Sequence, residues 1–294
     1  MKKQIESFLS TLDRSPNTLR TYKNALRLFE RHVDKNAELT LDNYVSYLQS
    51  IKDLTPSTKH VYKTAITRFY AFHRAATTQD MKEVADHYIK RVPGGLPEFN
   101  EEAIERLIKY CGTLRGNLLA LRDKAFVYTC ADSGFRIFEA CQLKRGQIKW
   151  DEGHALIVGK GSKKAKIRFS KRSIAALRAY LSLRDKTLQS NVLMSDQPLF
   201  ARHDKSASKK LRGVSKSGSG MREAIKCRME EAGIPRDSIR IHDFRHYFTT
   251  VFYRATKDIL KTKEMARHSS IVTTQRYAHL AEDDTDYNNI FNGE

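Results

Sequence analysis

One helix signature occurs twice within the first 95 residues, and it constrains the fold of this chain more than any other feature. Each copy opens with a hydroxyl residue followed by proline, Ser15-Pro16 and Thr55-Pro56, which is typical of a capped helix start. Apolar residues then recur at helical spacing. Six positions forty residues apart carry the same residue, namely Pro16/Pro56, Thr18/Thr58, Tyr22/Tyr62, Lys23/Lys63, Ala25/Ala65 and Phe29/Phe69. The pattern predicts two similar helical hairpins that pack together.

The helical periodicity breaks between Ala75 and Asn100. This segment contains Val92-Pro93-Gly94-Gly95-Leu96-Pro97, the densest group of turn-forming residues in the chain. A length of 294 residues is enough for two domains. We therefore expect a helical N-terminal domain over residues 1–85, a linker over 86–98 and a second domain over 99–294.

The second domain combines helices with a few short strands. Residues 101–110 have helical periodicity, and residues 118–131 form a nearly continuous apolar stretch typical of a buried helix. Three β-rich segments follow at 148–150, 155–158 and 166–169. The remaining segments are again helical. The fold class is therefore mainly α with a small antiparallel β-sheet.

The charge of the chain predicts a polyanionic partner. There are 53 Lys and Arg residues against 34 Asp and Glu, a formal net charge of +19, and most of the excess lies after residue 95. Charge alone also fits an anionic membrane surface or a ribosomal site. No apolar window is long enough for a membrane span or an export signal, so we expect a cytoplasmic, nucleoid-associated protein.

Two groups of basic residues are candidates for contacts with phosphates. The first group recurs on or near one side of the N-terminal helices and consists of Arg20, Lys23, Arg27, Lys59 and Lys63. The second lies in a basic, Ser- and Gly-containing loop at 201–220 and includes Lys209, Lys210 and Arg212.

Three separated segments carry the chemistry-bearing residues, 134–139, 242–246 and 268–277, and Lys160 lies in a Gly-Lys-Gly turn. Together they supply two guanidinium groups, two imidazoles, an ammonium and a phenol. This set suits attack on a phosphodiester, because two arginines stabilise charge on the nonbridging oxygens. The sequence has no His-Glu-x-x-His motif, carboxylate cluster, cysteine box or Walker loop. We therefore expect no metal and no other cofactor.

The order and spacing of these residues resemble the tyrosine recombinase (phage integrase and Xer) family over essentially the whole chain. That family has Gly-x-Arg-x-x-Glu, a Lys in a hairpin turn, His-x-x-Arg, a His or Trp, and a nucleophilic Tyr nine residues later. The matching positions here are Arg136, Lys160, His242, Arg245, His268 and Tyr277. The resemblance implies an N-terminal core-binding domain with a SAM-like helical fold, followed by a catalytic domain.

The resemblance also implies a mechanism. Tyr277 attacks the scissile phosphate to give a 3′-phosphotyrosyl intermediate, and a partner strand's 5′-hydroxyl then reseals the DNA without metal or ATP. Arg136, Arg245 and His268 contact the phosphate, and Lys160 protonates the leaving 5′-oxygen. His242 is the candidate proton acceptor and Glu139 orients its neighbours, whereas no role is assigned to His246.

Two residues depart from the family pattern. Arg267 precedes the motif histidine, where the family commonly has Gly, and Phe138 stands where a small residue is usual. Neither change removes a reacting group, although Arg267 affects the local turn. The basic loop is also longer than in minimal Xer proteins, which favours a mobile-element integrase or transposase.

The expected partner is double-stranded DNA with paired recombination sites, bound by a homotetramer that dissociates to a monomer or weak dimer without DNA. In residues 282–294, acidic residues are combined with Tyr287, Ile290 and Phe291, so this tail is expected to fill an apolar groove in cis or in trans.

Two alternatives to a recombinase remain. A type IB topoisomerase would share the chemistry, and a non-catalytic DNA-binding relative would share only the fold. The complete residue set argues against the second alternative.

Overall fold

The computed structural model describes residues 1–33, 38–89, 98–158, 164–187, 193–203, 211–215 and 217–277. The chain divides into two compact units, Met1–Gly94 and Gly95–Glu294. Among the described residues, no helix has the length and apolar character needed to cross a membrane.

The described part of the first unit consists of five helices. They are α1 (Lys2–Ser10), α2 (Pro16–His32), α3 (Leu41–Ser50), α4 (Pro56–Phe72) and α5 (Thr78–Tyr88). The hydroxyls of Ser15 and Thr55 each accept the backbone N–H three residues later, at 3.3 Å, as the repeated signature predicts. Helices α2 and α4 pack together, with Phe29 and Phe69 fully buried.

Helix α5 continues through Tyr88, into the segment that the sequence assigned to the linker. Thr77 caps its start, and Met81, Ala85 and Ile89 bury one face at a spacing of four residues. This apolar spacing carries the helix past residue 85. Residues 90–97, which hold most of the expected linker, lie outside the described residues.

The second unit contains the remaining helices and the sheet. The helices are α6 (Glu101–Thr113), α7 (Leu118–Ser133), α8 (Ile137–Gln142), α9 (Lys171–Thr187), α10 (Ser219–Glu231), α11 (Asp243–Thr256), α12 (Ile259–Ala266) and α13 (Ile271–Gln275). Helix α7 is central and packs against α6, α8, α9, α10 and α11. Buried residues lie on all sides of this helix, which matches the nearly continuous apolar pattern in the sequence.

The three strands are β1 (Ile148–Lys149), β2 (His154–Val158) and β3 (Lys164–Arg168). They form an antiparallel sheet in the order β1-β2-β3, in which Leu156 pairs with Lys166. The expected small antiparallel sheet is confirmed. The segment that connects β2 to β3, which carries Lys160, lies outside the described residues.

Candidate active site

The end of helix α7 positions the first arginine of the site. Gly134 terminates α7 with φ +57°, in the left-handed region. A Cβ atom added to this residue would lie 2.4 Å from Cδ1 of Phe248 on α11. Glycine therefore allows both the turn and the close approach of α11. Two residues later Arg136 caps helix α8, and its side chain is 47% exposed.

Glu139 links Arg136 to a second cation. One carboxylate oxygen accepts the backbone N–H of Arg136 at 3.0 Å, and the other accepts Nη1 of the same residue at 2.9 Å. Nη2 of Arg267 also donates to Glu139, at 2.9 Å. Burial raises the pKa of this carboxyl, but Arg267 and Arg136 outweigh burial, so its pKa lies below the usual value. Glu139 is therefore a carboxylate held between two guanidinium groups.

Arg245 is the buried cation of the site. It lies in the first turn of α11, and its Nη1 donates to the carbonyl of Gly134 at 2.7 Å, while Nη2 donates to the carbonyl of Ala266. Burial, together with Arg136 and Arg267, lowers the pKa of this guanidinium to about 9. A bound anion would relieve this unfavourable environment, because it would pair with the buried charge.

Arg267 occupies the position where the sequence departs from the family. Its φ is +57°, so an arginine adopts here the left-handed backbone that glycine adopts readily. Nη2 donates to the carbonyl of Gly134 at 3.2 Å as well as to Glu139, and the guanidinium lies 5.7 Å from the ring centroid of Phe135. The turn is retained with arginine, and it brings a third guanidinium to the site.

Tyr277 follows α13 and is buried, with 1% of its surface exposed. Its backbone N–H donates to the carbonyl of Thr274 at 2.9 Å. The ring of His268 stacks on the phenol at 6.3 Å between centroids, and its Nδ1 is hydrogen-bonded to Oγ1 of Thr274 at 2.9 Å. Burial raises the pKa of Tyr277 to about 12, although Arg245 opposes the shift. Tyr277, His268 and Arg245 are thus gathered in one cluster.

The hydroxyl of Tyr277 forms a hydrogen bond with Nδ1 of His246, a residue to which the sequence assigned no role. His242, the expected proton acceptor, contacts the His246 ring edge-on at 4.8 Å between centroids. The sequence did contain a feature that places His246 near His242. His242 and His246 are four residues apart at the start of a helical segment, a spacing that places both rings on one face.

Burial lowers the pKa values of the three imidazoles. The value falls to about 4 for His246 and to about 3 for His268, and it is also lowered for His242. Nearby charged groups reinforce burial, and Arg245 is among them in each case. All three rings are therefore neutral near pH 7, and a neutral ring has a nitrogen that accepts a proton.

The basic residues expected to contact DNA differ in their surroundings. Arg20, Lys23 and Arg27 are exposed on α2, and none has an acidic partner among the residues that the structure describes. Nζ of Lys59 donates to the carbonyl of Lys52 at 3.0 Å. Lys63 is 13% exposed and forms an ion pair with Asp86. The α2 residues are thus the most available of this group.

The second basic group lies partly outside the described residues. Arg212 is exposed, and its carbonyl accepts the backbone N–H of Arg202 at 2.8 Å, next to the antiparallel bridge between Ala201 and Gly213. Lys209, Lys210 and the catalytic candidate Lys160 are not among the described residues, nor are residues 278–294 with the expected docking tail. Within the described ranges, no three His, Cys, Asp or Glu side chains are grouped closely enough to hold a metal ion.

The geometry combines a phenol, two neutral imidazoles in contact with it, two guanidinium groups paired with a single carboxylate, and a third, buried guanidinium. Such a cluster binds an anion and places a nucleophile beside it. Phosphate suits the guanidinium groups, because they offer paired N–H donors to its oxygens.

Comparisons with known proteins agree with this chemistry. Residues 98–284 match the phage integrase family. Over 295 residues the chain is 26% identical to tyrosine recombinase XerD of Listeria monocytogenes, and the match covers 95% of each chain.

Two solved structures are similar in fold. One is a XerH site-specific recombinase bound to a palindromic difH substrate, with a TM-score of 0.69 and 19% identity, covering 90% of this chain and 76% of that one. The other is the Tn1549 transposon integrase in complex with transposon right-end DNA, with a TM-score of 0.68 and 14% identity, covering 93% and 92%. These similarities show that the fold is shared.

Proposed function

The chain belongs to the phage integrase family, and we propose that it is a site-specific tyrosine recombinase that cuts and rejoins duplex DNA. One observation supports this function for the residues of this chain. The buried phenol of Tyr277 shares a cluster with Arg245 and His268, so a nucleophile lies beside groups that bind phosphate. The net charge of +19 supports a DNA substrate.

In the proposed reaction, the phenolic oxygen of Tyr277 attacks the scissile phosphorus. The new P–O bond links the tyrosine to the 3′ end, and the bond to the 5′-oxygen breaks. Arg136 and Arg245 bind the nonbridging oxygens, and His268 donates a further hydrogen bond to the phosphate. Because the covalent intermediate conserves the phosphodiester bond energy, rejoining by a 5′-hydroxyl needs no other energy source.

The environment of Tyr277 sets a requirement on this step. With a pKa of about 12, ionising the phenol at pH 7 before attack costs about 7 kcal/mol. Loss of the proton as the P–O bond forms avoids this full cost. The site therefore needs a proton acceptor beside the phenol in addition to cations beside the phosphate.

We assign Lys160 to the opposite end of the reaction, as the general acid that protonates the leaving 5′-oxygen. The support for this role is its place in the Gly-Lys-Gly sequence of the segment that connects β2 to β3. Its test is a substrate with a 5′-bridging sulfur, which leaves as a thiolate without a proton. Lys160→Ala should slow cleavage of ordinary DNA far more than cleavage of this substrate. Equal slowing on both would remove Lys160 from the role.

Recombination also requires two DNA sites and several active sites acting together. We propose a homotetramer on paired sites, with the tail at 282–294 docking on a groove in the same or a neighbouring subunit. The apolar residues Tyr287, Ile290 and Phe291 within an acidic segment support this role. Deleting residues 284–294 should leave single-site binding intact and weaken assembly on paired sites.

A nicked duplex that traps the cleaved strand tests the proposed function. The wild-type chain should form a covalent adduct with DNA, with or without EDTA, and Tyr277→Phe should bind the duplex equally well and form none. An adduct in Tyr277→Phe would make Tyr287 the next candidate nucleophile. Strand exchange between paired sites identifies a recombinase, whereas relaxation of one duplex without exchange would identify a topoisomerase.

A further inference from the structure

We propose that His246 is a catalytic residue that accepts the phenolic proton of Tyr277 through Nδ1 during cleavage and returns it during rejoining. This inference rests on the proposed function and assigns one step of it. The observation behind it is the direct hydrogen bond between the Tyr277 hydroxyl and His246 Nδ1.

The His246 ring is held in place on several sides. Phe99 stacks on it at 6.1 Å between centroids, with an interplanar angle of 23°, and His242 packs edge-on at 4.8 Å. The ring of Tyr277 lies at 6.0 Å. Because His246 directly follows Arg245 on α11, one helical turn places both a phosphate-binding group and the proton acceptor. A fixed ring of this kind holds the acceptor nitrogen at the hydroxyl.

Other groups near the phenol are already engaged. Nδ1 of His268 is hydrogen-bonded to Thr274, and the His268 ring stacks on the phenol at an angle of 17°. The Thr249 hydroxyl donates to the carbonyl of Arg245 at 2.8 Å and is also hydrogen-bonded to Tyr277, but a hydroxyl is not a base at neutral pH. The ring contact of His242 is with His246. Within the described part of the chain, His246 is therefore the imidazole with a direct hydrogen bond to the nucleophile.

Each proton in this step has a donor and an acceptor in the enzyme or the DNA. The phenolic oxygen forms its bond to phosphorus as the proton passes to His246 Nδ1, and the P–O5′ bond breaks as the 5′-oxygen takes a proton from Lys160. In rejoining, the 5′-hydroxyl attacks, its proton returns to Lys160, and the departing phenolic oxygen regains the proton from His246. The enzyme ends in its starting protonation state, so no external acid or base is consumed.

Burial is the main cause that keeps the His246 ring neutral before DNA binds, and the charges around it add to this effect. His242, Arg245 and Arg240 disfavour the imidazolium, and Asp243 favours it. A phosphate bound at Arg245 adds negative charge beside the ring and opposes these cations. Substrate binding therefore makes His246 a stronger base at the moment when it accepts the proton of Tyr277.

Substitutions that separate hydrogen bonding from proton uptake test the proposal. His246→Asn retains an acceptor near the position of Nδ1 but cannot take up the proton, and His246→Ala removes both. We expect each to slow single-turnover adduct formation by at least about 10²-fold, the usual scale for a general base. His242→Asn, which changes the N-cap residue of α11, tests the competing proton acceptor and should slow adduct formation less than His246→Asn does. Duplex affinity and the thermal midpoint of unfolding check that each variant is folded.

A second experiment changes the nucleophile rather than the base. A fluorinated tyrosine at position 277 has a more acidic phenol and depends less on a proton acceptor. The rate ratio between the His246 wild type and His246→Ala should therefore shrink when residue 277 is fluorotyrosine. A purely positioning role would leave this ratio unchanged.

Three results would overturn the role of His246 while leaving the proposed function intact: a wild-type rate in His246→Asn, faster cleavage in His246→Ala, or an unchanged ratio with fluorotyrosine. Absence of any adduct in the wild-type chain would instead refute the proposed function. The two failures are thus distinguishable.

Discussion

Nη2 of Arg267 donates to Oε2 of Glu139 at 2.9 Å, while the other oxygen of the same carboxylate accepts Nη1 of Arg136 at 2.9 Å. The side chains of Arg267 and Glu139 are both almost buried, at 10% and 11% exposed. Through this pair, the residue that departs from the family pattern fixes the carboxylate that holds Arg136, which we propose to bind the phosphate.

The first prediction concerns this ion pair. Glu139→Gln leaves the Arg267 guanidinium buried without a carboxylate, so it should lower the free energy of unfolding by about 3 kcal/mol. Arg267→Gly should cost less, because it removes the buried cation and relieves the left-handed backbone at this position. In the Arg267→Gly background, Glu139→Gln should lower the free energy of unfolding only slightly. Urea unfolding of the two single variants and the double variant measures the coupling, and additive effects would show that the pair is not coupled.

The second prediction separates Arg136 and Arg245, the two motif arginines, by their burial. Arg136→Ala and Arg245→Ala should each slow adduct formation by at least about 10²-fold, because each removes a donor to the phosphate. Only Arg245→Ala should also destabilise the fold, by about 2 kcal/mol, since it leaves the carbonyls of Gly134 and Ala266 without this donor. Single-turnover cleavage and urea unfolding measure the two effects. A loss under tenfold at both positions would refute the phosphate clamp.

The third prediction tests the junction that places Arg136. Gly134→Ala should destabilise the chain by about 3 kcal/mol, because a Cβ would collide with Phe248 and the backbone is left-handed. Gly116 is a matched control, since its φ is +90° but no atom lies within 4 Å of an added Cβ. Gly116→Ala should therefore lower the free energy of unfolding only by the cost of placing alanine on a backbone with positive φ. Equal losses in the two variants would mean that the approach of Phe248 does not matter.

The fourth prediction follows from the lowered pKa of His246. Its folded-state pKa is about 4 against an ordinary value of 6.5, so below about pH 6.5 the unfolded chain takes up a proton that the folded chain does not. Stability is therefore lost as the pH falls from about 6.5 towards 4. Between pH 7 and pH 5.5, this residue should account for a loss of about 1 kcal/mol.

His246→Gln tests that assignment, because glutamine does not titrate. The variant should lose less unfolding free energy than the wild type over the same interval, which lies above the usual titration range of carboxyl groups. Urea unfolding at the two pH values provides the comparison. Parallel losses in both proteins would show that His246 does not carry the acid sensitivity.

Local sequence was sufficient to predict much of the fold. Ser15 and Thr55 cap helices through hydrogen bonds to residues three positions away, so the local sequence is enough to predict their roles. The three β-rich segments between 148 and 169 likewise predicted the antiparallel sheet, and the apolar run at 118–131 predicted a buried helix. These features depend on periodicity and capping, which act over a few residues.

The contacts within the site depend on packing between distant segments. The bond between His246 and Tyr277 spans 31 residues, and that between Arg267 and Glu139 spans 128. No local pattern encodes either pairing. A histidine four residues after another on a helix indicates a shared face but does not indicate which element covers it. The ion pair of Lys63 with Asp86 was missed for the same reason, because Asp86 lies on another helix.

That ion pair leads to the last prediction, which concerns DNA binding by the first unit. Arg27 is exposed on α2, with no acidic partner among the residues described, whereas Lys63 is mostly buried and paired with Asp86. Each phosphate contact contributes about −0.9 to the slope of log affinity against log salt. If Arg27 contacts a phosphate, Arg27→Ala should reduce the steepness of that slope by about 1. Lys63→Ala should change this slope much less, because Asp86 already neutralises the charge of Lys63.

Asp86→Asn frees Lys63 and should strengthen DNA binding at low salt. Fluorescence anisotropy with a short duplex at several salt concentrations measures all three variants, and an equal change of slope in Lys63→Ala and Arg27→Ala would contradict this distinction.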